Sequence, residues 1–230
     1  MSFPITQRPK ALLAWSTGKD SAWSLHVLRQ QGAVEVVGLL TTFNEHFNRV
    51  AMHSTRRELA ETQAAAVGLP LWPVLIPWPC PNQAYEAAMS AALVAARAQG
   101  ITHVAFGDLF LEDVRRYRIE KMHGSGLDPL FPVWGTQDDT PRLAREMLTA
   151  GLRAVLTCVD PKQCAPQFAG RIFEPALLDE LPPSVDPCGE KGEFHTFCFA
   201  GPMFSAPIPI QVGEVVERDG FVFADVLKAI

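Results

Sequence analysis

Leu12-Leu13-Ala14-Trp15-Ser16-Thr17-Gly18-Lys19-Asp20-Ser21 is the stretch that decides the fold. Its first four residues are apolar and read as a buried strand. Ser16-Thr17-Gly18 is a turn of small residues, and a helix is predicted from Asp20 to about Gln31, stopped by Gly32. A strand that breaks into a helix in this way gathers backbone N–H groups, hydroxyls and a lysine around one point. Unpaired N–H groups and the helix dipole both favour negative charge there, so the turn is a candidate phosphate cradle.

Two phosphate loops are excluded. The Walker pattern needs a glycine where Leu13 stands and a hydroxyl where Asp20 stands. The dinucleotide pattern needs three spaced glycines, and Gly18 stands alone.

Outward from this point the first half alternates strand and helix. Val34 to Thr42 reads as a buried parallel strand. Thr55-x-x-Glu58 has the form of a capping box and opens a helix ending at Gly68. Leu71 to Ile76 is a strand interrupted by Pro73, which suggests an edge position. Asn82 is placed as the cap of an alanine-rich helix, Thr102 to Phe106 as a strand, and Glu112 to Lys121 as a charged helix. This rhythm predicts an α/β fold, a Rossmann-like parallel sheet with helices on both faces. Ligands of such sheets bind at the carboxyl ends of strands, where Ser16, Thr41, Thr42, Gly107 and Asp108 all fall.

The texture changes near Gly126. A helix over Pro141 to Ala150, a strand over Ala154 to Val159 and several short strands from Glu193 to Val226 predict a smaller C-terminal α+β domain. The expected division is residues 1–127, a nucleotide-binding domain, and 128–230, an acceptor domain.

Composition narrows the function classes. The formal net charge is −5, against the basic excess of a general nucleic-acid binder. No run approaches the ~20 apolar residues that span a bilayer. The N-terminus lacks a signal-type apolar stretch, so a cytoplasmic protein without membrane attachment is expected. Five cysteines, with no C-x-x-C pair, argue for free thiols in a reducing compartment.

A second dense cluster is Asp186-Pro187-Cys188-Gly189-Glu190-Lys191-Gly192-Glu193-Phe194-His195-Thr196-Phe197. Its glycines let backbone bend around a ligand. Glu190 and Glu193 can divide acid and base roles if their environments differ, and His195 can move a proton near neutral pH. A solvated polar turn is the plain alternative.

The loop at Ser16–Ser21, the Gly107-Asp108 strand end, the Arg115-Arg116-x-Arg118-x-Glu120 helix, Gly126-Leu127 and the late G-E-x-G-E-x-x-T run occur in this order. Together they resemble the diphthine–ammonia ligase family, a branch of the PP-loop ATP pyrophosphatases. Met52-His53-Ser54 is similar to a stretch of bacterial relatives. The resemblance implies ATP as cosubstrate with Mg²⁺, adenylation of a carboxylate with release of pyrophosphate, and displacement of AMP by ammonia to give an amide. It implies catalytic roles for Lys19, Asp108, Glu190 and Glu193, to which the imidazole's own chemistry adds His195. It also implies nucleotide contacts from Trp15, Ser16, Thr17, Gly18, Asp20, Ser21, Thr41, Gly107, Arg115 and Arg118, and it leaves room for a homodimer. The acceptor carboxylate is a small molecule or a modified protein side chain.

Two residues depart from the family's pattern. Thr17 stands where the loop has its first glycine, a poor substitute if φ is positive there. Phe194-His195-Thr196 stands where Tyr-Glu-Thr is more usual, which puts the acceptor in question. Several residues keep plainer readings. Asp20 and Asp108 can cap helices or reach Mg²⁺, and Arg115 and Arg118 can hold an acid or form a solvated face. His26 reads as structural, His53 as a residue on the active rim, and Cys188 as an inert thiol or a sulfur-transfer nucleophile. A PP-loop enzyme modifying tRNA and a non-catalytic ATP- or AMP-binding protein are the alternative functions.

Overall fold

The computed structural model describes residues 8–229. The first half contains β1 (Lys10–Ala14), α1 (Lys19–Gln31), β2 (Glu35–Asn44), β3 (Arg49–Val50), α2 (Arg57–Val67), β4 (Leu71–Ile76), α3 (Asn82–Ala98), β5 (His103–Ala105), α4 (Glu112–Met122) and β6 (Asp128–Leu130). Strand β1 pairs in parallel with β2 and β5, β2 with β4, and β5 with β6. Strand β4, which carries Pro73, pairs with β2 alone and so lies at the edge. Residues 128–130, read from the sequence as the start of the second region, are a strand of this first sheet.

Strand β2 outruns β1. Ala14 lies opposite Leu40, but β2 continues to Asn44, and β4 occupies its other edge throughout that extension. The edge left open past the end of β1 is taken by β3, which pairs antiparallel with Phe43 and Asn44. The sequence analysis contained no β3. Its two residues bring the turn Ala51–Ser54 toward the carboxyl end of β1, beside the phosphate cradle.

The second half contains α5 (Thr140–Thr149), β7 (Arg153–Val159), β8 (Ile172–Phe173), α6 (Pro175–Glu180), β9 (Phe194–Ala200), β10 (Ile210–Arg218) and β11 (Phe221–Lys228). All its pairings are antiparallel: β9 runs along β7, β8 and β11 share the opposite edge of β7, and β10 pairs with β11. One core joins both halves, packing Leu13, Trp15 and Leu25 with Ala154, Leu156, Phe173 and Cys198. Helix α1 contributes seven buried residues, Lys19 among them, because it lies in this shared core rather than on a solvated face.

Three expected caps take other forms. Gly18, not Asp20, occupies the N-cap of α1, and Asp20 sits within the first turn with no capping bond. Arg56 occupies the N-cap of α2, and Pro81 that of α3. The Thr55 hydroxyl is instead used across the fold by Thr17.

Candidate functional site

The turn after β1 carries a strained residue. Thr17 has φ +72°, a region that costs a β-branched side chain about 1–2 kcal/mol. Its surroundings hold it there. Its Oγ1 donates to Thr55 Oγ1 at 2.9 Å, and its carbonyl accepts from Gln63 Nε2 at 2.9 Å and from the Cys198 N–H at 2.9 Å. Gln63 is fully buried, and its Oε1 also accepts the Trp15 indole N–H at 2.8 Å. The amide thus locks strand, turn and β9 together. Nothing in its sequence neighbourhood marked Gln63.

Gly18 and Gly107 are glycines because other groups crowd them. A Cβ on Gly18 would stand 2.9 Å from His53 Cε1 and 3.2 Å from the Thr196 carbonyl oxygen. On Gly107 it would stand 3.1 Å from the Ser21 nitrogen. Strand end β5 and the start of α1 therefore touch backbone to backbone. Helix geometry leaves the N–H groups of Asp20 and Ser21 without intrahelical partners, while the Lys19 N–H is taken by Thr196 Oγ1 at 3.1 Å. Ser16 Oγ lies 3.3 Å from Ser21 Oγ.

A cleft of about 460 Å³ opens over this turn. Trp15, Ser16, Lys19, Asp20, Ser21, Gly107, Asp108 and Arg118 line it from the first half, and Glu190 and His195 from the second. Ten of the expected site residues thus meet in one place. The size suits a small-molecule ligand, and the cradle of glycines and unpaired N–H groups suits a phosphate chain.

Five expected residues stand elsewhere. Thr17 and Gly18 shape the turn from its buried side. Thr41 is buried and donates to the Trp15 carbonyl at 2.9 Å, while Thr42 lines the cleft; strand alternation puts the exposed hydroxyl one position on. Arg115 lies over Trp134 at 4.6 Å and Phe131 at 5.3 Å, a cation–π stack away from the cleft. Glu193 is buried at 1% exposure and accepts from the Asp186 and Lys191 N–H groups, both at 2.9 Å. It fixes the acidic turn and presents no free oxygen to a substrate.

The charges at the centre are coupled. Lys19 is 1% exposed; its Nζ donates to both Asp20 carboxylate oxygens and to the Cys188 carbonyl, with the Phe173 and Phe194 rings nearby. Burial works against the ammonium, but Asp20, Cys188 and Glu190 together outweigh it and the pKa is raised. Lys19 is therefore a buried, paired cation, not a solvated helix-start lysine. Glu190 accepts the Leu109 N–H at 2.7 Å. Burial, with the charge of Asp20, pushes its carboxyl up to about 8, so it is mostly protonated at neutral pH. Asp108 is paired with Arg118 Nε at 3.3 Å.

His195 does not titrate near neutral pH as expected. Burial and the nearby Lys19 ammonium push it down to about 4. His53 lies 4.6 Å away, ring to ring, and burial with the His195 neighbour pushes it down to about 3. Its Nδ1 faces the Thr196 carbonyl at 3.2 Å, and a carbonyl only accepts, so the His53 proton sits on Nδ1 and Nε2 keeps its lone pair. Cys188 points its thiol at the Thr140 carbonyl, and burial raises its pKa, an environment for an inert thiol.

Asp225 of β11 braces the histidine-bearing turn. It accepts from Arg49 at 2.9 Å and Arg56 at 2.6 Å, on the two sides of the turn. Between them Met52 and Ser54 hold φ +63° and +57°. The sequence offered no signal for this link across 169 residues.

Comparison with known proteins matches residues 9–127 to the family model described as diphthamide synthase N-terminal domain and residues 139–228 to the diphthamide synthase C-terminal domain. The diphthine–ammonia ligase of Rattus norvegicus is 32% identical over 123 residues, covering 50% of this chain and 45% of that protein. That of Homo sapiens is 31% identical over 123 residues, with the same coverage. That of Danio rerio is 34% identical over 122 residues, 50% of this chain and 47% of that protein. Each match thus spans about half the length of the curated relative. No helix among the described residues is long and apolar enough to cross a membrane.

Proposed function

We propose that this chain, which belongs to the diphthamide synthase family, is an ATP-dependent amide-forming ligase. The observation that carries the reading is the meeting, over one strained turn, of a phosphate cradle from residues 16–21 with Glu190, His195 and Thr196 from the other half. The relatives are named for joining ammonia to diphthine. The acceptor here is written only as a carboxylate, because His195 replaces the family's more usual acid.

The reaction follows from the placement. The N–H groups of Asp20 and Ser21 and the hydroxyl of Ser16 hold phosphate oxygens, while the Ser21 hydroxyl is spent on the Gly18 carbonyl at 3.0 Å, and the Lys19–Asp20 pair sets the field beside them. A carboxylate oxygen of the acceptor attacks the α-phosphorus of ATP, and the bond from that phosphorus to the pyrophosphate oxygen breaks. Acyl-AMP and pyrophosphate result. Ammonia then attacks the acyl carbon, the bond to AMP oxygen breaks, and the nitrogen sheds one proton. The neutral imidazole of His195 lines the cleft where that proton is released and is the base within reach to accept it. Glu190, protonated at neutral pH, can stand near phosphate without repelling it.

Mg²⁺ would be held by phosphate oxygens with Asp20 or Asp108, and would neutralise charge on the leaving pyrophosphate.

Incubation with ATP, ammonium and a panel of carboxylic acids tests the reading. AMP and pyrophosphate are expected; ADP and phosphate would overturn it, and binding without turnover would favour a nucleotide sensor. The sulfur-transfer reading draws no support from Cys188, whose thiol is buried against the Thr140 carbonyl.

A further inference from the structure

A second cavity, of about 690 Å³, lies between α3 and α4. Tyr85, Met89, Phe106 and Arg118 line both this cavity and the cleft, so only those side chains divide them. Most of its wall area is apolar, with Glu86, Arg97, Lys121 and His123 at its polar points. Leu93 and Met122 are buried there, while Val94 is 67% and Tyr117 38% exposed. The ligase chemistry described above uses none of this space.

Arg118 stands at the junction. Its Nε is held by Asp108 at 3.3 Å, and the guanidinium lies 5.0 Å from the Phe106 ring centre. Asp108 follows Gly107, the residue whose backbone touches the first turn of α1. The guanidinium is thus only a short chain of contacts from the phosphate cradle. Asp108 engages one N–H and the Tyr85 hydroxyl lies against the fork as well; the donors left over match a carboxylate. Arg97 adds a further positive charge to the cavity, while Lys121 is already paired with Glu86 at 2.7 Å.

We propose that the α3–α4 cavity receives the acceptor, a small organic acid with an apolar body, and that Arg118 turns its carboxylate toward the nucleotide. Its volume lies within the range of small-molecule sites, and apolar walls with a cation at one junction select an ionised head on an apolar body. The direction in which the acid faces rests on the ligase reading; its binding in this cavity does not.

Calorimetric titration of the full chain with phenylpropionate, phenylbutyrate and phenylhexanoate, each beside its primary alcohol, tests this. The titrations are run with and without α,β-methylene-ATP, which cannot be cut at the inner anhydride. At least one acid is expected to bind at least about tenfold more tightly than its alcohol. Ser90→Trp, from an exposed position of α3 that lines the cavity, is expected to weaken the acid at least about tenfold and the nucleotide analogue by less than about twofold. Val94→Trp is the second blocking variant if the first does not fold. Acids that bind no better than alcohols, acids that bind undiminished to the blocked variants, or no acid binding at all overturn the assignment. If the analogue fails to bind while acid binding remains sensitive to the block, the nucleotide reading falls and the cavity assignment stands.

Discussion

Thr17 donates its hydroxyl hydrogen to Thr55 at 2.9 Å while its own backbone sits at φ +72°. The bond runs from the phosphate turn to Thr55, the residue before the N-cap of α2. It explains how a β-branched residue occupies a position where glycine would be unstrained. Thr17→Val keeps the strain and leaves the buried Thr55 hydroxyl unpaired, so a loss of about 1–3 kcal/mol is expected. Thr17→Gly loses the same bond but gains back about 1–2 kcal/mol of strain, and is expected to be the more stable variant. Urea denaturation of the two ranks them; equal losses would mean that the turn is not strained.

Gly18→Ala is expected to weaken ATP binding about tenfold or more. The new methyl would lie 2.9 Å from His53 Cε1, and the imidazole must move out of its contact with Thr196. Calorimetric ATP titration measures this. Undiminished affinity would show that the cradle tolerates a side chain there.

Glu190 gives a pH signature. Its carboxyl is pushed from 4.5 up to about 8 by burial. Between those values the native chain holds a proton that the unfolded chain has released, so this group makes stability fall as pH rises across the window. Above about pH 8 the ionised carboxylate also repels phosphate. ATP affinity is expected to decline through that pH, and Glu190→Gln to flatten both the stability and affinity profiles. Profiles of identical shape in the two proteins would contradict the assignment.

Asp225→Asn removes the charge that pairs Arg49 with Arg56. The carboxylate is partly exposed, so the stability cost is small, about 1 kcal/mol or less. The turn carrying His53 is expected to loosen, raising the KM for ATP severalfold with kcat nearly kept. Asp225→Glu is expected to restore part of the affinity. A fall in kcat alone would place the residue in another role.

Legibility differed between the fold and the site. The strand–turn–helix at residues 12–31 announced itself because apolar runs, a small-residue turn and Gly32 agree locally. Strand β3 did not, since two residues carry no periodicity and only the overhang of β2 gives them a partner. Glu190 and Glu193 look alike on paper. The turn between them aims one oxygen pair at backbone N–H groups within residues 186–191 and leaves the other in the cleft, and only packing determines which. Thr41 and Thr42 could not be told apart without the phase of the strand. Arg115 looked like an anion ligand because a charged helix gives no hint of the aromatic pair Phe131 and Trp134 waiting beneath it.

The cradle borrows its fastenings from distant parts of the chain: Thr196 on the Lys19 N–H, Cys198 on the Thr17 carbonyl, Asp225 on Arg49 and Arg56. During synthesis the ribosome delivers the cradle first and those fastenings last. A growing polypeptide therefore cannot brace the turn at residues 16–21 until β11, about two hundred residues later, has left the ribosome.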